Sequence, residues 1–152
     1  MYELYTRQAL PNKEYRALLG SAICVFNSNV SFIIENIRRV NHGLSWFDLI
    51  DLTAGKLSRL IENDLALIDE SICADFKILK EKRDRIVHSF QVTKNGEQIL
   101  ATKDKQNKQF VITEKYLIDF IKQNESLCDK LYEIRKKLRT VFSADFPQQM
   151  TQ

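Results

Sequence analysis

Histidine is scarce: the chain has two in 152 residues, and with no CxxC or HExxH spacing a dedicated zinc site has little to be built from. Cysteine is nearly as rare. Cys24, Cys73 and Cys128 are odd in number and far apart, which argues against a disulfide framework, and their apolar helical neighbours predict reduced, buried side chains in a cytoplasmic protein. The opening MYELYTRQALPNKEY has neither a basic stretch nor an apolar run, and no segment approaches ~18 consecutive apolar residues. Neither export nor a membrane partner is therefore expected. Internal repeats and low-complexity tracts are also lacking.

Charge is close to balance, with 23 Lys and Arg against 20 Asp and Glu, a net +3 and a pI of about 8.7. That permits a nucleic-acid partner without requiring one. The positive charge gathers in three places: residues 77–85, the loop lysines Lys94, Lys103, Lys105 and Lys108, and the run Arg135, Lys136, Lys137 and Arg139. A fold that brought two of these together could hold a phosphate backbone between them.

What is abundant is helical periodicity. At this length one domain, residues 1–152, is expected, with loosely ordered ends at 1–11 and 143–152. Asn12 caps a first helix running to about Val40 on the seam Leu19, Ile23, Phe26, Val30, Ile33, Ile37 and Val40. A second stripe from Tyr15 to Phe32 widens the buried face, and Asn29 interrupts it and needs a partner. NHGLS, residues 41–45, breaks the helix. Ser45 then caps a second helix carrying Phe47 to Ile61, within which TAGKLS lacks the first glycine and the preceding strand of a phosphate loop. A third helix begins near Asp69 and carries Ile72, Phe76, Leu79, Ile86 and Phe90. From 91 to 113 the period changes, and an Asn-Gly turn at 95–96 with β-like runs at 98–102 and 110–113 predicts a small inserted hairpin. Thr113 caps a last helix with stripes ending at Phe142 and Val141, and the final ten residues are expected to fray. The predicted fold is all-α, an up-and-down four-helix bundle with a β-hairpin insertion at about 91–113.

EKRDRIVHSF, residues 81–90, holds the chemistry. The third-helix seam passes Ile72, Phe76, Leu79, position 83, Ile86 and Phe90, and position 83 is arginine. An unpaired guanidinium inside a core costs several kcal/mol, so either the stem is buried and the head escapes, or the stripe faces a cleft or a second subunit. Asp84 lies four residues before His88, close enough on a helix to hydrogen bond and fix its tautomer. Arg83 stands ~140° around the helix from His88. One copy therefore makes an awkward site, while two copies meeting on a two-fold axis would combine both residues around one phosphate.

Arg83, Asp84 and His88 resemble the R-x4-6-H signature of HEPN domains, in which a polar residue often follows the arginine, and the bundle with its motif late in a helix agrees with that family in architecture. The resemblance implies a homodimer through the third helix whose paired motifs form a metal-independent, cofactor-free endoribonuclease site. In such enzymes the RNA 2′-hydroxyl attacks the adjacent phosphate, leaving 2′,3′-cyclic phosphate and 5′-hydroxyl ends. Carried over, His88 is general base or acid, Arg83 stabilises the phosphorane and Asp84 orients the pair. Bacterial members commonly serve as toxins or abortive-infection effectors, which implies an antitoxin or defence-system partner. Members silenced by a nucleotidyltransferase continue the motif to a tyrosine, where this chain has Phe90, and phenylalanine cannot be adenylylated.

Lys80, Arg85, Lys94 and Lys103 are the cations expected to meet RNA. His42 reads as a turn residue, and the cluster at 135–139 as charge favoured by a helix C-terminus. Two further readings stay open on the residues alone: a non-catalytic dimerisation module held by an Arg83–Asp84 pair between subunits, and a module binding RNA or a regulatory nucleotide.

Overall fold

Asn12 starts the first helix as a capping residue should, its Oδ1 accepting the Tyr15 N–H at 2.8 Å. In the computed structural model, which describes residues 3–144 and their side chains to residue 140, α1 spans Lys13–Val40. It is followed by α2 (Trp46–Ile50), α3 (Ala54–Leu60), one π-helical turn (Ile61–Leu65) and α4 (Ser71–Val87). Three strands follow, β1 (Phe90–Lys94), β2 (Glu97–Lys103) and β3 (Gln109–Val111), and then α5 (Glu114–Ala144). The protein is mostly helical, 64%, with a small antiparallel sheet in the order β1-β2-β3. The expected fraying of the last residues, and the packing of Val141 and Phe142, lie outside the described residues and side chains.

Three expectations about the elements themselves need correction. The second helix is not continuous: Ser45 makes no side-chain cap bond, α2 stops at Ile50, and α3 starts afresh with Thr53 accepting from Lys56 N at 3.4 Å. The third helix ends before Phe90, because the Ser89 hydroxyl donates to the Ile86 carbonyl at 2.7 Å and satisfies a carbonyl that another helical turn would have used. Phe90 instead opens β1 opposite Ala101, with 48% of its surface exposed. The insertion is thus a three-stranded meander rather than a hairpin. Its first turn is as expected, since Asn95 and Gly96 both take positive φ, 53° and 81°, the geometry a two-residue hairpin turn demands.

The described residues form two compact units, one within Met1–Asn27 and Ile78–Glu125, the other within Ser28–Lys77 and Ser126–Gln152. In the first, β2 is the central strand. Ala101, paired with Phe90 on one side and Val111 on the other, is fully buried, as are Ile112, Leu117 and Phe120. Phe26 stacks on Phe120 at 6.2 Å, and the Tyr15 hydroxyl donates to the Ile112 carbonyl at 2.7 Å. Thr113 caps α5 through the Tyr116 N–H at 3.1 Å.

In the second unit Ile33, Ile37, Leu57, Ile61, Ile72 and Leu131 make the core. Buried Asn36 donates to the Leu131 carbonyl at 3.1 Å and accepts from Arg135 Nε at 3.1 Å. Arg135 also pairs with Glu35 and lies 4.2 Å over the Phe32 ring. It is therefore a structural strut and not a solvated helix-end charge. Asn29 is buried and not without a partner, and His42 is exposed in the turn after α1.

The cysteines are free thiols, but they are not core residues: Cys24 is exposed and Cys73 and Cys128 are half-buried, because each falls beside the buried stripe of its helix. α1 is also more apolar than expected. Residues 17–34 carry no charge, and by length and composition the helix could cross a membrane, a test that a core helix meets equally.

Asp64, on the π-helical turn, has a buried Oδ2 without a hydrogen-bond partner, and burial pushes its carboxyl up. A carboxyl raised in the folded state binds its proton more tightly there than in the unfolded chain, so stability grows as pH falls from the folded pKa toward the unfolded one near ~4. Above that window the cost is present in full. Asp64→Asn is expected to raise the melting temperature by about 2 °C at pH 7 and by nothing near pH 3. Equal gains at both pH values in a thermal melt would refute the assignment.

Candidate functional site

α4 runs as a clean seam through Ile72, Phe76, Leu79 and Ile86, all buried, and position 83 falls on that seam as the periodicity requires. Arg83 is not expelled from it. Its side chain is 26% exposed, its guanidinium lies 5.2 Å from the Phe26 ring, and Nη2 pairs with Asp84 Oδ1 at 3.3 Å. Its Nε is buried with no hydrogen-bond partner. Stacking on an aromatic face suits a guanidinium, which is weakly hydrated and planar, but it does not satisfy an N–H.

His88 sits on the turn just past Val87, the last residue of α4, and its side chain is exposed. Its backbone N–H still reaches the Asp84 carbonyl at 2.9 Å, so it continues the helical path by one residue. Within one chain the Asp84 carboxylate holds Arg83, and it makes no hydrogen bond to the imidazole. The three residues are therefore local neighbours that divide into an Arg–Asp pair on the packed side and a solvent-facing imidazole.

The expected RNA-binding cations are divided among several places. Arg85 turns toward the sheet, where Nη1 donates to the Lys103 carbonyl at 2.8 Å. The Lys103 ammonium bonds the Asn107 side chain. Lys80, three residues before Arg83, shares its side of α4 and is half-buried. Lys94 lines a separate cavity of about 460 Å³ with Tyr15 and Gln98. The fold does bring two of the three basic clusters together: Arg85 meets the end of β2, and Lys105 in the β2–β3 loop pairs with Glu81 of α4 at 2.5 Å.

Between those elements is a cleft of about 300 Å³ that the sequence did not reveal, lined by Ile78, Lys82 and Arg85 of α4, Lys105, Phe110 and Tyr116. The loop that walls it is tied down, since Asp104 Oδ1 accepts from the N–H groups of Gln106 and Lys108 at 2.9 and 2.8 Å. The one available signal was the aromatic pair Phe110 and Tyr116 directly after a lysine-rich loop, an interleaving that single-strand binders use. Burial pushes the Tyr116 phenol up, and the nearby Arg85 charge opposes that.

Among the described residues no three His, Cys, Asp or Glu side chains converge as a metal ion would need. The arrangement offers an exposed proton-transfer group, a half-buried guanidinium with an unused donor, and a cationic aromatic cleft. Comparison with known proteins adds no family to it, since no family model, curated protein or solved structure matches the chain.

Proposed function

We propose that this chain is a metal-independent endoribonuclease of the HEPN kind, cleaving RNA by 2′-hydroxyl attack at a site shared by two copies, and serving in the cytoplasm in phage defence or beside an antitoxin. The fold this reading assumes is an up-and-down four-helix bundle, with α1, the broken segment 46–65, α4 and α5 as its members and the sheet inserted between the last two. The observation that carries it is Arg83. A buried guanidinium N–H left unbonded costs roughly 1–3 kcal/mol, and a purely structural position gains nothing by keeping it. A site that must present a cation to a phosphorane does gain. His88, exposed about one and a half helical turns from Arg83, is accessible as the base or acid, and Asp84 holds the arginine in place.

A non-catalytic module is supported by one observation, that Asp84 is paired with Arg83 of its own chain, which leaves the His88 imidazole without the carboxylate that would orient it. The two readings part on the purified protein incubated with mixed cellular RNA in EDTA, with product ends mapped. Cleavage giving cyclic phosphate and 5′-hydroxyl ends is expected. If intact RNA is recovered from a protein that light scattering reports as a dimer losing its association on Arg83→Ala, the module reading stands instead.

A further inference from the structure

We propose that the cleft between α4, the β2–β3 loop and the start of α5 is a nucleotide subsite, seating one base of single-stranded RNA on the Phe110 and Tyr116 rings and its phosphate on Arg85 and Lys105. It rests on the ribonuclease reading only for what the seated nucleotide is adjacent to. A volume of about 300 Å³ is at the small end of ligand sites, enough for one nucleotide and too small for a folded partner.

The walls match that occupant. The two rings stand 5.9 Å apart at 47°, giving an apolar floor on which any base has a face to stack. Lys82 lies 5.8 Å from the Tyr116 centroid and is tethered to Gln123 at 2.8 Å, an exposed contact that a base can replace at little cost. Of the five donors of Arg85, Nη1 goes to the Lys103 carbonyl, which fixes the plane of the guanidinium, and the others have no hydrogen-bond partner among the described residues. The side chains of Lys105 and Glu81 are 66% and 43% exposed, so their ion pair is worth little and the Lys105 ammonium can turn to a phosphate. Asp104, the other carboxylate here, has its Oδ1 engaged by the backbone N–H groups of Gln106 and Lys108.

The position of the cleft relative to the motif follows from helix geometry. Ile78, Lys82 and Arg85 follow steps of four and three, and the next step of three reaches His88, ~4.5 Å farther along the axis and within ~60° of Arg85. Arg83 is ~200° away from Arg85 on the same helix. A nucleotide in the cleft therefore delivers its neighbouring phosphodiester to His88 and not to the Arg83 of the same chain, which matches a site completed by the arginine of a second copy.

The test is fluorescence anisotropy of the full chain with a labelled 2′-O-methyl oligoadenylate, which cannot undergo 2′-hydroxyl attack and so reports binding without cleavage. Tyr116→Leu and Arg85→Gln are each expected to weaken binding about tenfold. Tyr116→Phe should retain it, as should Lys136→Gln, a surface change in the other unit. AMP should compete and inorganic phosphate at the same concentration should not. The subsite is overturned if the native chain fails to bind, if both cleft variants bind like the native chain, or if phosphate competes as well as AMP. Should Tyr116→Leu fail to fold, Arg85→Gln decides alone. Binding with this pattern but no cleavage of unmodified RNA would sink the ribonuclease reading and leave the subsite standing, and cleavage with unaltered binding in both variants would do the reverse.

Discussion

His88→Ala is expected to lower RNA cleavage by 10²- to 10⁴-fold, on the order of what a positioned general acid or base contributes. It should do so without unfolding the protein. The imidazole is exposed, lies beyond the last residue of α4, and makes no side-chain hydrogen bond to the described residues, so the change in stability should stay within about 0.5 kcal/mol. A single-turnover assay in EDTA, with a melting curve of the same preparation, reads both quantities. Retention of more than about a third of the native rate would remove His88 from the chemistry, and with it the motif as a catalytic unit.

Arg83→Met should separate stability from activity. The substitution removes the buried, unbonded Nε and leaves an unbranched side chain whose sulfur can pack against Phe26. Lost with the guanidinium are a cation–π contact of roughly 0.5–1 kcal/mol and a half-exposed ion pair of about 0–1 kcal/mol. Relief of the unsatisfied donor returns roughly 1–3 kcal/mol, and Asp84, 28% exposed, can rehydrate. The balance favours the variant slightly, so its melting temperature should be unchanged or about 2–4 °C higher while cleavage disappears. A structural arginine behaves oppositely: a drop of several degrees with cleavage intact would assign Arg83 to the fold. Because the motif is proposed to work across two copies, mixing Arg83→Met with His88→Ala should restore part of the activity in the mixed dimer, which neither variant shows alone.

Much of the chain's local structure was legible in advance. The caps at Asn12 and Thr113, the Asn-Gly turn with its two positive φ angles, and the stripe Ile72, Phe76, Leu79 and Ile86 depend on residues within a few positions of one another, where hydrogen-bond geometry and helical period leave few alternatives. The presence of an arginine on that stripe was equally readable. Its consequence was not, because the partner ring, Phe26, is remote in sequence and nothing in the spacing pairs the two.

The end of α4 shows how a local competition can defeat periodicity. Phe90 continues the seam of four and three, yet Ser89 takes the Ile86 carbonyl and the next residue enters the sheet, where pairing with Ala101 outweighs one more helical turn. The same limit hid the cleft. Arg85, Lys105, Phe110 and Tyr116 come from four different segments, α4, the β2–β3 loop, β3 and α5, and only the register of β2 on β3 and the Asp104 loop bring them to one wall. Sequence alone determined where α1 and α5 start, which faces are apolar and that Arg83, Asp84 and His88 stand within one and a half turns, because these are short-range properties of a chain with fixed backbone geometry. Tertiary structure alone decided that Asp84 holds the arginine and that Arg85 turns to an aromatic cleft, because side-chain pairing is settled by which long-range neighbours exclude water from each group.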